Sequence, residues 1–124
     1  HLPRRIGAFE LNLEAIFSQA PTVLQARELR VMPAATQDLS LLVDLNVAAA
    51  QLAQTIREGA GELLESITLV DDYRGDNIPA GSKSLTFSLL FRASDRTLTQ
   101  VEASASRDAA VALANQKFGA TLRA

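Results

Sequence analysis

The stretch "DDYRGDNIPAGSKSL", Asp71 to Leu85, places two adjacent carboxylates, the chain's single tyrosine (Tyr73), Lys83 and Ser84 at the edges of one long turn. A turn of this length needs only Gly75, Pro79 and Gly81 to reverse the chain. The surplus polar groups therefore either hold the turn or bind something. Paired carboxylates could exchange a proton or share an ion. Neighbours on a strand face opposite ways, however, so Asp71 and Asp72 are not expected to act as a catalytic pair. Glu58, Glu62 and Glu65 read as a solvated face. Arg92 and Arg96 around Asp95 read as a turn with local ion pairing, each pair worth little. Lys83 reads as a solvated edge charge that discourages strand pairing, and Asp38 as a residue tied to the start of a sheet. His1 is the one histidine and cysteine is absent, which excludes disulfides, thiol catalysis, Ser-His and Cys-His nucleophiles and Cys/His metal clusters. No catalytic residue and no metal ligand is assigned.

The elements that position these groups can be read from periodicity. "DLSLLVD" puts Leu39, Leu41 and Val43 on one face and Ser40 and Leu42 on the other, which predicts a strand. Asp44 or Asn46 is placed to cap a helix in which Ala49, Leu52, Ala53 and Ile56 share a face and which Gly59 and Gly61 end. "SITLVDDY" predicts a second strand with Ile67 and Leu69 in register. "KSLTFSLLFR" predicts a third, with Leu85, Phe87 and Leu89 alternating with Ser84, Thr86 and Ser88. Thr99 and Glu102 form a capping box ahead of a helix with Val101, Ala105, Ala109, Ala112 and Leu113 as its buried stripe, closed by Phe118 and Gly119. "ATLR" predicts a short last strand.

The order β-α-β-β-α-β with right-handed crossovers predicts a ferredoxin-like α+β sandwich, a four-stranded antiparallel sheet with two helices on one face. Residues 1–32 read differently. Ile6 to Leu11 predicts a short strand, Asn12 to Phe17 a turn of helix, "SQAPTVLQA" a linker and "RELRVMP" an irregular run. This segment is expected to belong to a neighbouring unit, and the opening on His1 without an initiator methionine suggests a piece of something longer.

Composition narrows function. With 48% apolar residues in a chain of 124, one well-filled core is possible. No apolar run could span a bilayer, and Glu10 interrupts any signal-peptide core after Arg4 and Arg5, so the cytoplasm is the default compartment and no membrane partner is expected. From Pro33 onward there are eight Lys/Arg and eleven Asp/Glu, a balance of −3. Indiscriminate nucleic-acid affinity rests on neutralising phosphates, for which this balance is poorly suited. The open sheet face offers serines and a threonine where an RRM would offer aromatics. "DLNVAAA" lacks the glycine and arginine of an acylphosphatase-like anion loop.

"PAATQDLSLLVD", "VDDYRGDNIPAGSKSLTFSLLFR", "DRTLT" and "FGATLR", in this order and spacing, resemble the C-terminal anticodon-binding domain of the bacterial phenylalanyl-tRNA synthetase β subunit. The resemblance runs from about Pro33 to Arg123, and "IGAFELNLEAIF" resembles the closing segment of the synthetase-like module that precedes that domain. The resemblance thus divides the chain into residues 1–32, closing segment and linker, and residues 33–124, the anticodon-binding domain. Gln37 stands where the family often has arginine, and Val70 where it often has phenylalanine.

The resemblance implies a non-catalytic module that reads the first anticodon base of tRNA(Phe), a guanine. The parent would be an ATP- and magnesium-dependent ligase, built as an (αβ)2 heterotetramer with its catalytic residues in the α subunit; no cofactor is implied for this chain itself. By the family's pattern the contacts fall on Ser40, Asp71, Tyr73, Ser84 and Arg123. Residue by residue, each has a plain alternative: Tyr73 as sheet-end packing, Asp71 as a cap on the Arg74–Gly75 turn, Ser84 as a polar strand residue, Arg123 as a surface charge. Two other functions suit the same fold, an amino-acid-sensing regulatory domain and a structural docking module. Parity raises one difficulty. Asp71 and Tyr73 share the phase of Ile67 and Leu69, so they meet Ser40 and Ser84 only if the second strand twists, bulges or ends near Val70.

Overall fold

The computed structural model describes residues 5–20 and 31–123. A short helix α1 (Leu13–Gln19) precedes strand β1 (Ala35–Asp44), helix α2 (Ala49–Ala60), strands β2 (Leu64–Tyr73) and β3 (Ser82–Phe91), helix α3 (Gln100–Phe118) and strand β4 (Thr121–Leu122). The sheet order is β2-β3-β1-β4 and every pairing is antiparallel. From β1 onward this is the expected ferredoxin-like βαββαβ arrangement.

The period-2 alternation of β1 and β3 decides which sheet face is buried. Leu39, Leu41, Leu85, Phe87 and Leu89 are almost wholly inaccessible. They form one cluster with Leu52 and Ile56 of α2 and with Ala103, Ala110 and Ala114 of α3. Each large side chain buried this way contributes about 1.5–3 kcal/mol, so the strands supply most of the apolar cohesion and the alanines of α3 supply closeness. The two helices approach at Gly59, where a Cβ would stand 2.7 Å from the Ala110 Cα. Gly59 therefore lies inside α2 and makes room for α3. It does not end the helix; Gly61, at φ +72°, does.

Other local expectations are corrected in the same way. No side chain caps α2: its N-cap is Ala48, and Asp44 Oδ1 instead accepts from the Asn46 backbone N–H at 2.8 Å and its side-chain amide at 2.9 Å. The Thr99–Glu102 capping box is present, and Gly119 closes α3 in the left-handed conformation. Glu102 is held at a pKa of about 2, first by the hydrogen bond from the Thr99 hydroxyl, then by the Thr99 amide and Arg96. The stripe predicted for α3 is misphased. Val101 is 78% exposed and the buried positions are Ala103, Ala110 and Ala114. In a helix this rich in alanine the faces differ too little in size and polarity for the pattern to fix the phase.

The segment Ile6 to Leu11 forms no strand. A strand needs a neighbour for its N–H and C=O groups, and none of the four sheet strands pairs with it. Helix α1 forms with Asn12 as its cap, the side chain accepting from the Ala15 N–H at 3.1 Å, and all of its residues are exposed. Most of the expected linker, and "RELR" of the irregular run, lie outside the described residues.

Arg92 and Arg96 do not pair locally with Asp95. Arg92 reaches Glu65 at 2.5 Å and also donates to the Met32 carbonyl, while Arg96 pairs with Glu102 at 2.7 Å. Glu58 likewise has a partner, Lys117 at 2.7 Å. Lys83 is 5% exposed on β3, an interior strand, so it is neither solvated nor guarding an edge.

Candidate functional site

The sheet face turned away from the helices carries the candidate residues, and a bulge in β2 brings them there. Leu69 stands opposite Phe87, yet Asp71 stands opposite Thr86, the next residue along β3. Val70 is the extra residue between them and is 62% exposed. One unpaired residue reverses the phase of everything after it. Ile67 keeps to the helix side, while Asp71 and Tyr73 turn to the open side. Asp72, now opposite Leu85, turns the other way. The parity difficulty in the sequence is resolved by this bulge.

The register then sets two rows across the sheet. The first runs from Asp71 to Thr86 to Ser40. It is extended by Arg123, whose backbone N–H donates to the Ser40 carbonyl at 3.0 Å. The second runs from Tyr73 to Ser84 to Leu42 to Thr121. All five candidates, Ser40, Asp71, Tyr73, Ser84 and Arg123, therefore occupy two adjacent rows on one face.

Their side chains interlock in part. The Arg123 guanidinium lies over the Tyr73 ring, 5.0 Å from its centroid. The Tyr73 hydroxyl lies against Gly75, in the space a Cβ there would fill. That glycine, taken from sequence as a turn residue, is also what lets the ring lie down. The Ser40 and Thr86 hydroxyls are hydrogen-bonded at 2.8 Å. Ser84 is 1% exposed, and its hydroxyl has no hydrogen-bond partner among the described residues. A buried hydroxyl left unpaired costs about 1–3 kcal/mol.

The turn is held by residues other than Asp71. Asp72 takes both Arg74 nitrogens, at 2.9 and 2.7 Å, and that hydrogen bonding holds its carboxyl below the ordinary range. Backbone bonds from Ile78 to Gly75 and from Ser82 to Pro79, each 3.0 Å, close the loop. The Asp71 side chain has no hydrogen bond or ion pair among the described residues, so it does not cap the turn.

The face thus offers a carboxylate that only accepts, a guanidinium that only donates, three hydroxyls that do either, and a flat aromatic ring. Such a set suits a planar heterocycle carrying both N–H and carbonyl groups on its edge. Sequence alternation had already put Thr86 on this face, but nothing in its residue type marked it as joined to Ser40. The Arg123–Tyr73 contact had no sequence signal, because it spans fifty residues and depends on the register of all four strands.

The far end of the sheet offers a different setting. A polar cavity of about 350 Å³ there is lined by Glu62, Arg92, Asp95 and Arg96 among others, and both arginines are already engaged with carboxylates. No group of three or more potential metal ligands occurs among the described residues, and no described helix is long and apolar enough to cross a membrane.

Comparison with known proteins adds to this geometry. A family model described as the ferredoxin-fold anticodon binding domain matches residues 31–123. The chain is 54% identical over 98% of its length to a protein of Leifsonia xyli named phenylalanine–tRNA ligase beta subunit. It is 52% identical to the protein of that name in Streptomyces avermitilis and 47% to that in Thermobifida fusca, again over 98% of the chain. It spans only 14–15% of the length of these relatives. The sheet order, the helices packed on one face and the matched span agree: the chain belongs to the ferredoxin-fold anticodon binding domain family.

Proposed function

We propose that this chain reads the first anticodon base of tRNA(Phe), a guanine, as a non-catalytic module of a phenylalanine–tRNA ligase beta subunit. The observation that carries the reading is the bulge at Val70, which puts Asp71 and Tyr73 on the same face as Ser40, Ser84 and Arg123. In this reading Asp71 accepts from the guanine N1–H and exocyclic amine. Tyr73 supplies the stacking surface, Ser40 and Ser84 bond base or ribose, and Arg123 reaches a phosphate or stacks.

Magnitudes support an exchange on the ring. An exposed guanidinium–aromatic contact is worth about 0.5–1 kcal/mol, whereas a base stacked on an aromatic side chain is worth about 1–3 kcal/mol. A base can therefore take the Tyr73 face and release Arg123 to the backbone beside it. One splayed base needs no broad basic surface, which fits the acidic balance of the domain.

The same proposal places the chain in the cytoplasm within a larger (αβ)2 assembly that joins phenylalanine to tRNA using ATP and magnesium. The catalytic residues and the nucleotide lie elsewhere in that assembly, and no step of base reading passes through them. Residues 1–32 would close the preceding module and link it to the reading domain at 33–124. The test is aminoacylation by the assembled enzyme of tRNA(Phe) carrying guanine or adenine at the first anticodon position. Asp71→Ala is expected to lower the guanine preference in kcat/KM about tenfold, the worth of a paired base contact. A variant that discriminates as wild type does would overturn the reading.

A further inference from the structure

The row that begins at Tyr73 alternates large and small side chains: Tyr73 on β2, Ser84 on β3, Leu42 on β1 and Thr121 on β4. Leu42 is out of character there. Among the described residues that β1 and β3 turn to the open face, it and Leu90 alone are apolar, the others being hydroxyls and carboxylates. Leu90 stands at the far end, between Thr36 and Ser66. Leu42 is half-buried, and Ser84 beside it is 1% exposed. Two strand spacings, about 9–10 Å, separate the backbone of Leu42 from that of Tyr73. Arg123, continuing β4, stands one strand further out, about 14 Å from Tyr73. Its guanidinium nonetheless lies 5.0 Å from the ring centroid. The two side chains therefore meet above β3 and β1, so a flat group against the Tyr73 ring lies over these strands.

We propose that Leu42 selects a purine over a pyrimidine, as the far end of a stacking surface that begins at Tyr73. The proposal rests on the reading of this face as a base site. The edge of guanine that bonds a carboxylate, its N1–H and exocyclic amine, lies opposite the fused five-membered ring. With that edge at Asp71, the five-membered ring points away from Asp71. Leu42 is on that heading: two strands across from Asp71 and one row along, with Ser84 of β3 between them. A pyrimidine held by its N–H at Asp71 has one ring and ends over β3. A purine continues to β1 and covers the exposed part of the Leu42 side chain. Covering apolar surface is favourable in proportion to the area removed from water. A serine or threonine, the residue types that fill most of this face, would offer the second ring no such gain. The two rows thus divide the reading. Asp71 tests the hydrogen-bonding edge of the base, and Leu42 measures how far the base extends behind it.

The experiment is charging of tRNA(Phe) bearing guanine, adenine or uracil at the first anticodon position, by the assembled enzyme with Leu42→Ala or Leu42→Met. Uracil keeps an N–H beside a carbonyl but lacks the second ring. Each ratio of kcat/KM is taken within one variant, so a loss of folded enzyme cancels. Leu42→Ala is expected to lower the guanine-to-uracil ratio about three- to tenfold, as fits an apolar contact made from one side. The guanine-to-adenine ratio should stay within about twofold of wild type, since both bases carry the second ring and lose the same apolar cover. Leu42→Met, apolar and close to leucine in volume, is expected to keep both ratios. Three results would overturn the proposal: a wild-type guanine-to-uracil ratio in Leu42→Ala, equal damage from methionine and alanine, or an equal fall in both ratios. Asp71→Ala, run in parallel, separates the two levels. If it leaves the guanine-to-adenine ratio intact, the base-site reading falls and this proposal with it. If it lowers that ratio while Leu42→Ala leaves guanine-to-uracil untouched, only the role of Leu42 falls.

Discussion

Strand β2 carries two register shifts, one between Leu64 and Ser66 and one between Leu69 and Asp71. The same backbone device has opposite outcomes at the two ends. At the first, Glu65 is brought against Arg92, and both are largely shielded; Arg92 also holds the Met32 carbonyl. At the second, the Asp71 side chain is turned outward with no partner among the described residues, the buried Ser84 hydroxyl is unbonded among them, and the Arg123 guanidinium lies over an aromatic ring. One bulge ends in committed polar groups and the other in uncommitted ones. The bulge alone therefore says nothing of function. What separates architecture from a binding face is whether the polar groups it exposes are already satisfied.

The contrast can be broken at either end. Arg92→Ala should have the largest effect, and on stability alone. It strips a half-buried carboxylate and a backbone carbonyl of a charged donor, at a cost of about 1.5–3 kcal/mol. The chain should melt roughly 5–10 °C lower, with the base preference of the assembled enzyme unchanged; a changed preference would mean the ends are coupled. Tyr73→Ala should act the other way round. Loss of the stacking surface should lower kcat/KM for charging about tenfold, leaving amino-acid activation and the melting temperature alone.

Gly75→Ala should be milder. An added methyl competes with the Tyr73 hydroxyl for space and lifts the ring, with an expected threefold or so rise in KM for tRNA, since a tilted ring keeps part of its stacking. Deletion of Val70 should be the mildest, though deletions within strands are usually harmful. It removes the unpaired residue and leaves Asp71 opposite Thr86, so the base preference should stay within about twofold of wild type. If deletion abolishes the preference, the extra twist of the bulge matters and not merely the phase it sets.

These two ends were unequally legible in the sequence. The strands and their buried face were plain, because "DLSLLVD" and "SLTFSLLF" alternate strongly and both strands lie inside the sheet. Ser40 and Ser84 could be placed on the open face by that alternation alone. The phase of Asp71 and Tyr73 could not, because Val70 is a good strand residue and carries no glycine-like mark of a bulge. The family resemblance pointed to these residues before any local pattern did. Gly59 was misread as a helix end because its reason lies fifty-one positions away at Ala110 of α3. Lys83 was misread because its polarity says nothing of which strand is interior.

One consequence concerns tempo. Arg123 is held beside the site by β4, a strand of two residues, together with its own amide bond to Ser40. Asn115 steadies the preceding turn by donating to the Ala120 carbonyl at 2.9 Å. So short a ladder can fray while the Leu85–Phe87–Leu89 core stays closed, and local openings of this kind are far more frequent than global unfolding. Amide exchange at Arg123 should accordingly be fast beside that at Phe87. The arginine is mounted on the loosest strand of an otherwise rigid sheet, so it can swing away from the ring and return many times within the lifetime of the fold.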